Sequence, residues 1–166
     1  MSNYAYSTPK KPEVTDFSEL TERRYKSNEL CGAKSANICA IVFVDDVSNK
    51  DKVLDVLKAA QRVHEERLGN VILLGRKEVI LELMEEIGFT ANVPIIDPKT
   101  DEEKERRTRF GEIYWKNRRR KGRTLSEAQK LMRERNYFAA MMVNEGEADA
   151  LITGYSRPYP TVLRPI

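Results

Sequence analysis

Short all-apolar runs alternate along this chain with longer amphipathic ones. Asn37 to Val44 (NICAIVFV) is apolar at nearly every position. A strand reads this way when both of its faces are covered, because neither side meets water. Asp45 and Asp46 end the run, and Ser48, Asn49 and Asp51 then offer side-chain oxygens as helix caps. From Asp51 to Leu68 the apolar residues Val53, Leu57, Ala60 and Leu68 recur at helical spacing, with Gly69 placed as the stop. Asn70 to Leu74 (NVILL) repeats the strand signal and ends at Gly75. Lys77 to Ile87 puts Ile80, Met84 and Ile87 on one helical face, and Gly88 closes it. Val93 to Ile96 (VPII) is a third short strand, broken by Asp97-Pro98. Strand-then-helix units in series predict right-handed crossovers and a parallel sheet.

Asp101 to Lys116 carries Glu102, Glu103 and Glu105 at one end, with Arg118 to Lys121 just beyond the other. That polarity suits a helix dipole. Gly122 ends this helix, and Thr124 with Glu127 forms a T-x-x-E capping box for the next. Leu125, Ala128, Leu131, Met132, Phe138, Ala139 and Met142 keep helical spacing, so one continuous helix is expected from Leu125 to Asn144. Ala148 to Thr153 (ADALIT) is a fourth strand. The expected fold is α/β, a three-layer α/β/α arrangement around a mostly parallel sheet of about four strands. Residues 37–166 form its domain, and Met1 to Ala36 reads as a linker or arm. That arm lacks periodicity and carries Pro9 and Pro12, with one short helix expected at Asp16 to Tyr25.

Composition narrows the function classes. The chain has 166 residues, enough for one domain with a real core. Its 29 basic and 26 acidic residues leave a net charge of +3, too balanced to imply nucleic acid on totals. Cys31 and Cys39 fit neither a disulfide framework nor a metal-ligand spacing and read as cytosolic thiols. No apolar run approaches the roughly 18 residues of a membrane span, and the N-terminus is polar. A soluble cytoplasmic protein is expected. No Gly-rich nucleotide loop and no Ser-His-Asp set is present. His64 reads as an ordinary helix residue, and Met141 and Met142 read as core. No catalytic residue and no metal ligand is assigned.

The candidate chemistry lies late in the chain. Gly154 follows the fourth strand, where ligands bind in open α/β sheets. Beyond it come Tyr155, Ser156, Arg157, Tyr159, Thr161 and Arg164, which combine cations with hydroxyl donors for an anion. The second candidate is the basic cluster Arg118, Arg119, Arg120, Lys121 and Arg123. It reads as a solvated helix end, as a polyanion site, or as a nucleic-acid patch. The last is the weakest, because no aromatics interleave the cations.

From Ile38 onward these residues resemble the first part of a phosphate acetyl/butyryltransferase domain. The resemblance is carried by IVFVDDVSNKDKVLDVLKAAQRV, by VILLGRKEVI, and most specifically by RRRKGRTLSEAQKLMRERNYFAAMMV and GEADALITGYSRPYPTVLRP. The tyrosine-rich GYSRPYP loop is most similar to the version that ends bacterial NADP-dependent malic enzymes. The resemblance implies an α/β/α fold whose cleft takes acetyl-CoA and phosphate or their products. It also implies that Arg118 and Arg164 contribute to that cleft, with Gly154, Tyr155, Ser156, Arg157, Tyr159 and Thr161 shaping it. The parent enzyme would use NADP and a divalent metal, Mg or Mn, to decarboxylate malate to pyruvate. This part would be a regulatory or oligomerising domain with acetyl-CoA as effector, inactive alone and self-associating. The other implied parent is a genuine acyltransferase that moves an acyl group between CoA and phosphate. In either case the family's later catalytic half lies beyond these residues.

Overall fold

The computed structural model describes residues 39–44, 50–155 and 159–165, leaving aside the side chains of residues 121, 159 and 161. The arm, its helix at Asp16 to Tyr25, Cys31 and the acidic pair Asp45 and Asp46 fall outside the described residues. The strands are β1 (Cys39–Phe43), β2 (Asn70–Leu74), β3 (Ile95–Ile96) and β4 (Ala150–Ile152). They form one four-stranded sheet in the order β3-β2-β1-β4, with every pairing parallel. The helices are α1 (Lys50–Glu65), α2 (Lys77–Glu86), α3 (Lys104–Arg118), α4 (Leu125–Leu131), α5 (Arg135–Asn144) and α6 (Tyr159–Leu163).

The alternation within β1 separates two cores. Cys39, Ile41 and Phe43 pack with Phe110 and Tyr114 of α3 and with Phe138 and Met142 of α5. Val42 and Val44 face the other way, towards Val53, Leu57 and Ala60 of α1 and Ile80 and Met84 of α2. Both faces of the strand are therefore dry, which explains its unbroken apolar sequence. The three-layer α/β/α expectation holds. The chain winds outward from β1 to β3 and then returns to lay β4 on the free side of β1. The strand order reverses at the β1–β4 junction, where open α/β sheets place their ligands.

Local differences from the sequence reading have physical reasons. The long helix expected from Leu125 to Asn144 breaks after Leu131. Arg133 and Glu134 donate their N–H groups only three residues back, to Lys130 and Leu131, and Glu134 is extended (φ −81, ψ 123). The break lets α4 lie on α3, where a Cβ on Gly111 would come within 2.9 Å of Gln129 Cγ. It also frees α5 to turn Phe138 onto Phe110, with ring centroids 5.1 Å apart. The Thr124 capping box is present, with both of its hydrogen bonds. The stop of α1 falls on Arg67 (φ 53) instead of Gly69. Leu68 N–H reaches Val63 O and Arg67 N–H reaches His64 O, the paired bonds of a Schellman turn. Helix α3 begins at Lys104 and not Asp101, because a turn at Asp97–Thr100 precedes it. Arg107 is buried and donates to Pro98 O at 2.7 Å and to Thr100 O, which satisfies carbonyls that the proline turn leaves bare. Cys39 is disulfide-bonded and not the free thiol expected from the sequence.

Gly75, at the end of β2, is required by space. A Cβ there would meet Val44 O at 2.7 Å and Ile80 Cδ1 at 2.9 Å, both in the sheet–helix seam. Gly88 (φ +71) has nothing within 4 Å of its virtual Cβ, so only backbone strain opposes a side chain. Gly75→Ala is expected to cost about 1–3 kcal/mol as an overpacked site. Gly88→Ala should cost about 1 kcal/mol, from conformation alone. Urea denaturation of both variants checks the ranking, and an equal or reversed order would contradict it.

Candidate functional site

One turn of α3 and two turns of α5 build the candidate site. Tyr114, Asn117 and Arg118 share a face of α3 through i, i+3 and i+4 spacing, and Tyr137, Ala140, Met141 and Asn144 do the same on α5. With Leu151 of β4 and Pro165 they enclose a cavity of about 380 Å³. The Tyr114 and Tyr137 rings meet edge to face, 5.6 Å apart at 87°. The Arg118 guanidinium lies 5.9 Å from the centre of the Tyr114 ring, a cation–π distance.

Electrostatics brings more cations to the same place. Burial raises the Tyr137 phenol above its ordinary value, and the neighbouring Tyr114 adds to the rise. Arg123, Arg164 and Arg118 act in the opposite direction on that hydroxyl. Of these three, Arg118 lines the cavity with Tyr137. Arg118 is half-buried, whereas Arg123 and Arg164 are exposed. Arg118 thus borders a cavity with an apolar floor, and Arg164 directly precedes Pro165, which lines the same cavity.

The other sequence candidates go elsewhere. Tyr155 leaves β4 on the opposite face of the sheet, where its hydroxyl donates to Asp55 Oδ2 at 3.4 Å and its ring sits 5.8 Å from Lys52 Nζ. With Ile152, Ala40, Val42 and α1 it borders a second, apolar cavity of about 350 Å³. The sheet separates this cavity from Arg118. Gly154 is exposed with φ +104, and its virtual Cβ would come no nearer than 4.0 Å to Val162 Cγ2, so its need is conformational. Tyr159 and Thr161 contribute backbone to α6, but their side chains fall outside the description, as do Ser156 and Arg157 entirely. Among the described residues no group of three His, Cys, Asp or Glu side chains is placed to hold a metal. No described helix is long and apolar enough to cross a membrane.

The GEAD run, read above only as a family motif, is a docking device. Gly146 (φ 74) closes α5. The Glu147 carboxylate pairs with Arg109, and with Arg106 at 3.4 Å, both on α3. Ala148 is buried. Asp149 Oδ2 accepts the Cys39 N–H at 2.8 Å, and Asp149 N–H donates to Cys39 O at 2.8 Å. This reciprocal pair fixes where β4 meets β1. Sequence reading also missed Tyr114 and Tyr137; their only signal is aromatic residues within one turn of the basic cluster and of α5. Arg135 and Asn136 were missed as well. Arg135 is buried at the end of β1, where it donates to Val44 O at 3.2 Å, and Asn136 Oδ1 accepts from the Thr153 hydroxyl at 3.3 Å.

Glu147 supplies a pH signature. Burial raises its carboxyl above the ordinary value and outweighs the opposing pull of Arg106 and Arg109. The folded state then holds this proton more tightly than the unfolded state does. The Glu147 contribution to stability should therefore fall as pH climbs from about 4.5 through the raised value. Urea melts of wild type and Glu147→Gln across that range should show the wild type losing ground to the variant with rising pH. A wild type that gains on the variant as pH rises, or keeps a constant difference from it, would refute the assignment.

Comparison with known proteins places this geometry. The family described as phosphate acetyl/butaryl transferase matches residues 30–166. A phosphate acetyltransferase of Thermoanaerobacterium thermosaccharolyticum is 32% identical over 125 residues, which is 71% of this chain and 37% of that protein. An NADP-dependent malic enzyme of Rhizobium meliloti is 32% identical over 117 residues, which is 68% of this chain and 15% of that protein. A phosphotransacetylase crystal structure from Streptococcus pyogenes superposes with TM-score 0.62 at 28% identity, covering 89% of this chain and 40% of that one. The chain therefore spans well under half the length of these relatives.

Proposed function

We propose, since the chain belongs to the phosphate acetyl/butaryl transferase family, that its Arg118–Arg164 cavity binds the phosphate groups of a CoA-type or acyl-phosphate metabolite. The observation that carries this reading is the cavity of about 380 Å³ that Arg118 lines together with Tyr114 and Tyr137, with Pro165, the residue after Arg164, in the same lining. Guanidinium groups donate to phosphate oxygens in pairs, and a CoA molecule presents both a diphosphate and a further phosphate. Ala140, Met141, Val143 and Leu151 form an apolar floor suited to the uncharged part of such a ligand.

The parent we favour is an NADP-dependent malic enzyme, one of the two kinds of relative found at 32% identity. In that setting NADP and a divalent metal, Mg or Mn, would act elsewhere in the protein. This domain would bind acetyl-CoA as an effector and hold copies together. The second reading, supported by the phosphate acetyltransferases among the relatives, is a piece of an acyltransferase. There Arg164 would steady the negative charge that builds on the acyl phosphate as the thiolate attacks.

Calorimetry on the full 166-residue chain tests the cavity. Acetyl-CoA should bind, and Arg118→Ala or Arg164→Ala should weaken it about ten- to a hundredfold, the value of a charged hydrogen bond. Unchanged affinity in both variants would end the proposal. The chain alone is expected not to form acetyl phosphate from acetyl-CoA and phosphate; turnover in a coupled assay would favour the acyltransferase parent. β4 pairs with β1 on one side only among the described residues. An open parallel edge invites strand addition, so light scattering should report a dimer, and a monomer at high concentration would refute self-association.

A further inference from the structure

Tyr137 lines the cavity together with Tyr114 and Arg118. Its ring is held by the edge-to-face contact with Tyr114, 5.6 Å away. That contact fixes where the phenol oxygen sits, because the oxygen lies on the axis of the ring, while its hydrogen can still turn towards an acceptor. Tyr114 is itself capped by the Arg118 guanidinium at 5.9 Å. Phe138, the next residue, is fully buried against Phe110, so the backbone that carries Tyr137 is anchored in the core. The Tyr137 side chain is only half-buried and lines the cavity. Its hydroxyl donates to no group among the described residues.

A rigid, uncommitted donor amid guanidinium groups has one natural acceptor. A neutral molecule gains nothing from the cations, and a second cation is repelled by them. An anion is attracted by all of them and can also accept the phenol proton. We infer that Tyr137 is a ligand-binding residue whose hydroxyl donates to the phosphate oxygens held between Arg118 and Arg164, while the Tyr114–Tyr137 pair forms the aromatic wall against which the rest of the ligand lies. The wall matters for selectivity. A phosphate ester with a planar or apolar body covers the rings and the floor at Met141 and Leu151, whereas inorganic phosphate covers neither. The site therefore selects organic phosphate esters over the free anion. This inference rests on the cavity proposed above being a phosphate site.

The test measures acetyl-CoA and inorganic phosphate binding by calorimetry for wild type, Tyr137→Phe, Arg118→Ala and Arg164→Ala. Tyr137→Phe removes one oxygen and keeps the wall, so acetyl-CoA affinity should fall about tenfold with an unchanged melting temperature. Wild type should bind acetyl-CoA at least about tenfold more tightly than inorganic phosphate, because only the ester buries apolar and aromatic surface. If the arginine variants lose binding and Tyr137→Phe does not, the tyrosine inference is wrong and the cavity stands. If no variant loses binding, both are wrong. Equal affinity for phosphate and acetyl-CoA overturns the selectivity claim alone. Should Tyr137→Phe fold poorly, ultraviolet difference titration of wild type decides. One of the seven tyrosines should ionise at higher pH once acetyl-CoA is bound, because a phenol donating to an anion resists losing its proton. No change in the tyrosine titration would count against the contact.

Discussion

The reciprocal hydrogen bonds between Asp149 and Cys39 are the constraint on which the arrangement depends. They join residues 110 positions apart and use both the backbone and the carboxylate of one aspartate. Once they form, the register Ala40↔Ala150, Ile41↔Leu151 and Val42↔Ile152 follows without freedom. A slip of one residue would move Leu151 to the other face of the sheet. Leu151 would then leave the floor beneath Arg118, and the chain beyond β4 would carry Arg164 away from Tyr137.

Glu147 reinforces this from the second side. Its ion pairs reach Arg106 and Arg109 on α3, the helix whose last turns carry Tyr114 and Arg118. The chain that supplies Arg164 is thus tied both to the central strand and to the helix that supplies Arg118. Burial makes the carboxylate costly to ionise, and two guanidinium groups offset part of that cost. The arrangement favours one docking position over alternatives more than it adds raw stability. The apolar floor then sits at a fixed distance from the cations above it.

The sheet was legible in the sequence because β1 and β2 are apolar on both faces, and only a covered strand can be. The capping box at Thr124 was legible because its two partners lie within one turn. The break between Leu131 and Arg135 was not, since Leu131 and Phe138, and Met132 and Ala139, keep helical spacing across it. Only the competing demands of Gly111 and of the sheet force the bend. Arg118 stood out in a basic cluster and Arg164 beyond a strand end, but only the family resemblance implied that they share a cleft, and nothing local in either residue says so. Tyr155 follows the strand end as closely as any candidate, yet it crosses to Asp55 on α1. Which face a residue takes after a strand depends on the register, and the register was set by Asp149, whose role the sequence did not disclose. Tyr137 was hidden for the same reason: beside Phe138 in an apolar helix it reads as core and gives no sign that it faces Arg118 across a cavity.

The order of strands also bears on how the molecule assembles. Strands β1 and β2 pair at a sequence separation of 31, and β3 joins β2 over 22. The β1–β4 seam must instead close a loop that includes α1 through α5. Loop-closure entropy grows with length, so closing this seam costs more than closing the others. A chain emerging from the ribosome exposes the bare flank of β1 until Ala150–Ile152 has been made. During that interval the same edge that later receives β4 is open to strands from neighbouring nascent chains, and the cation cluster has no partner segment to confine it.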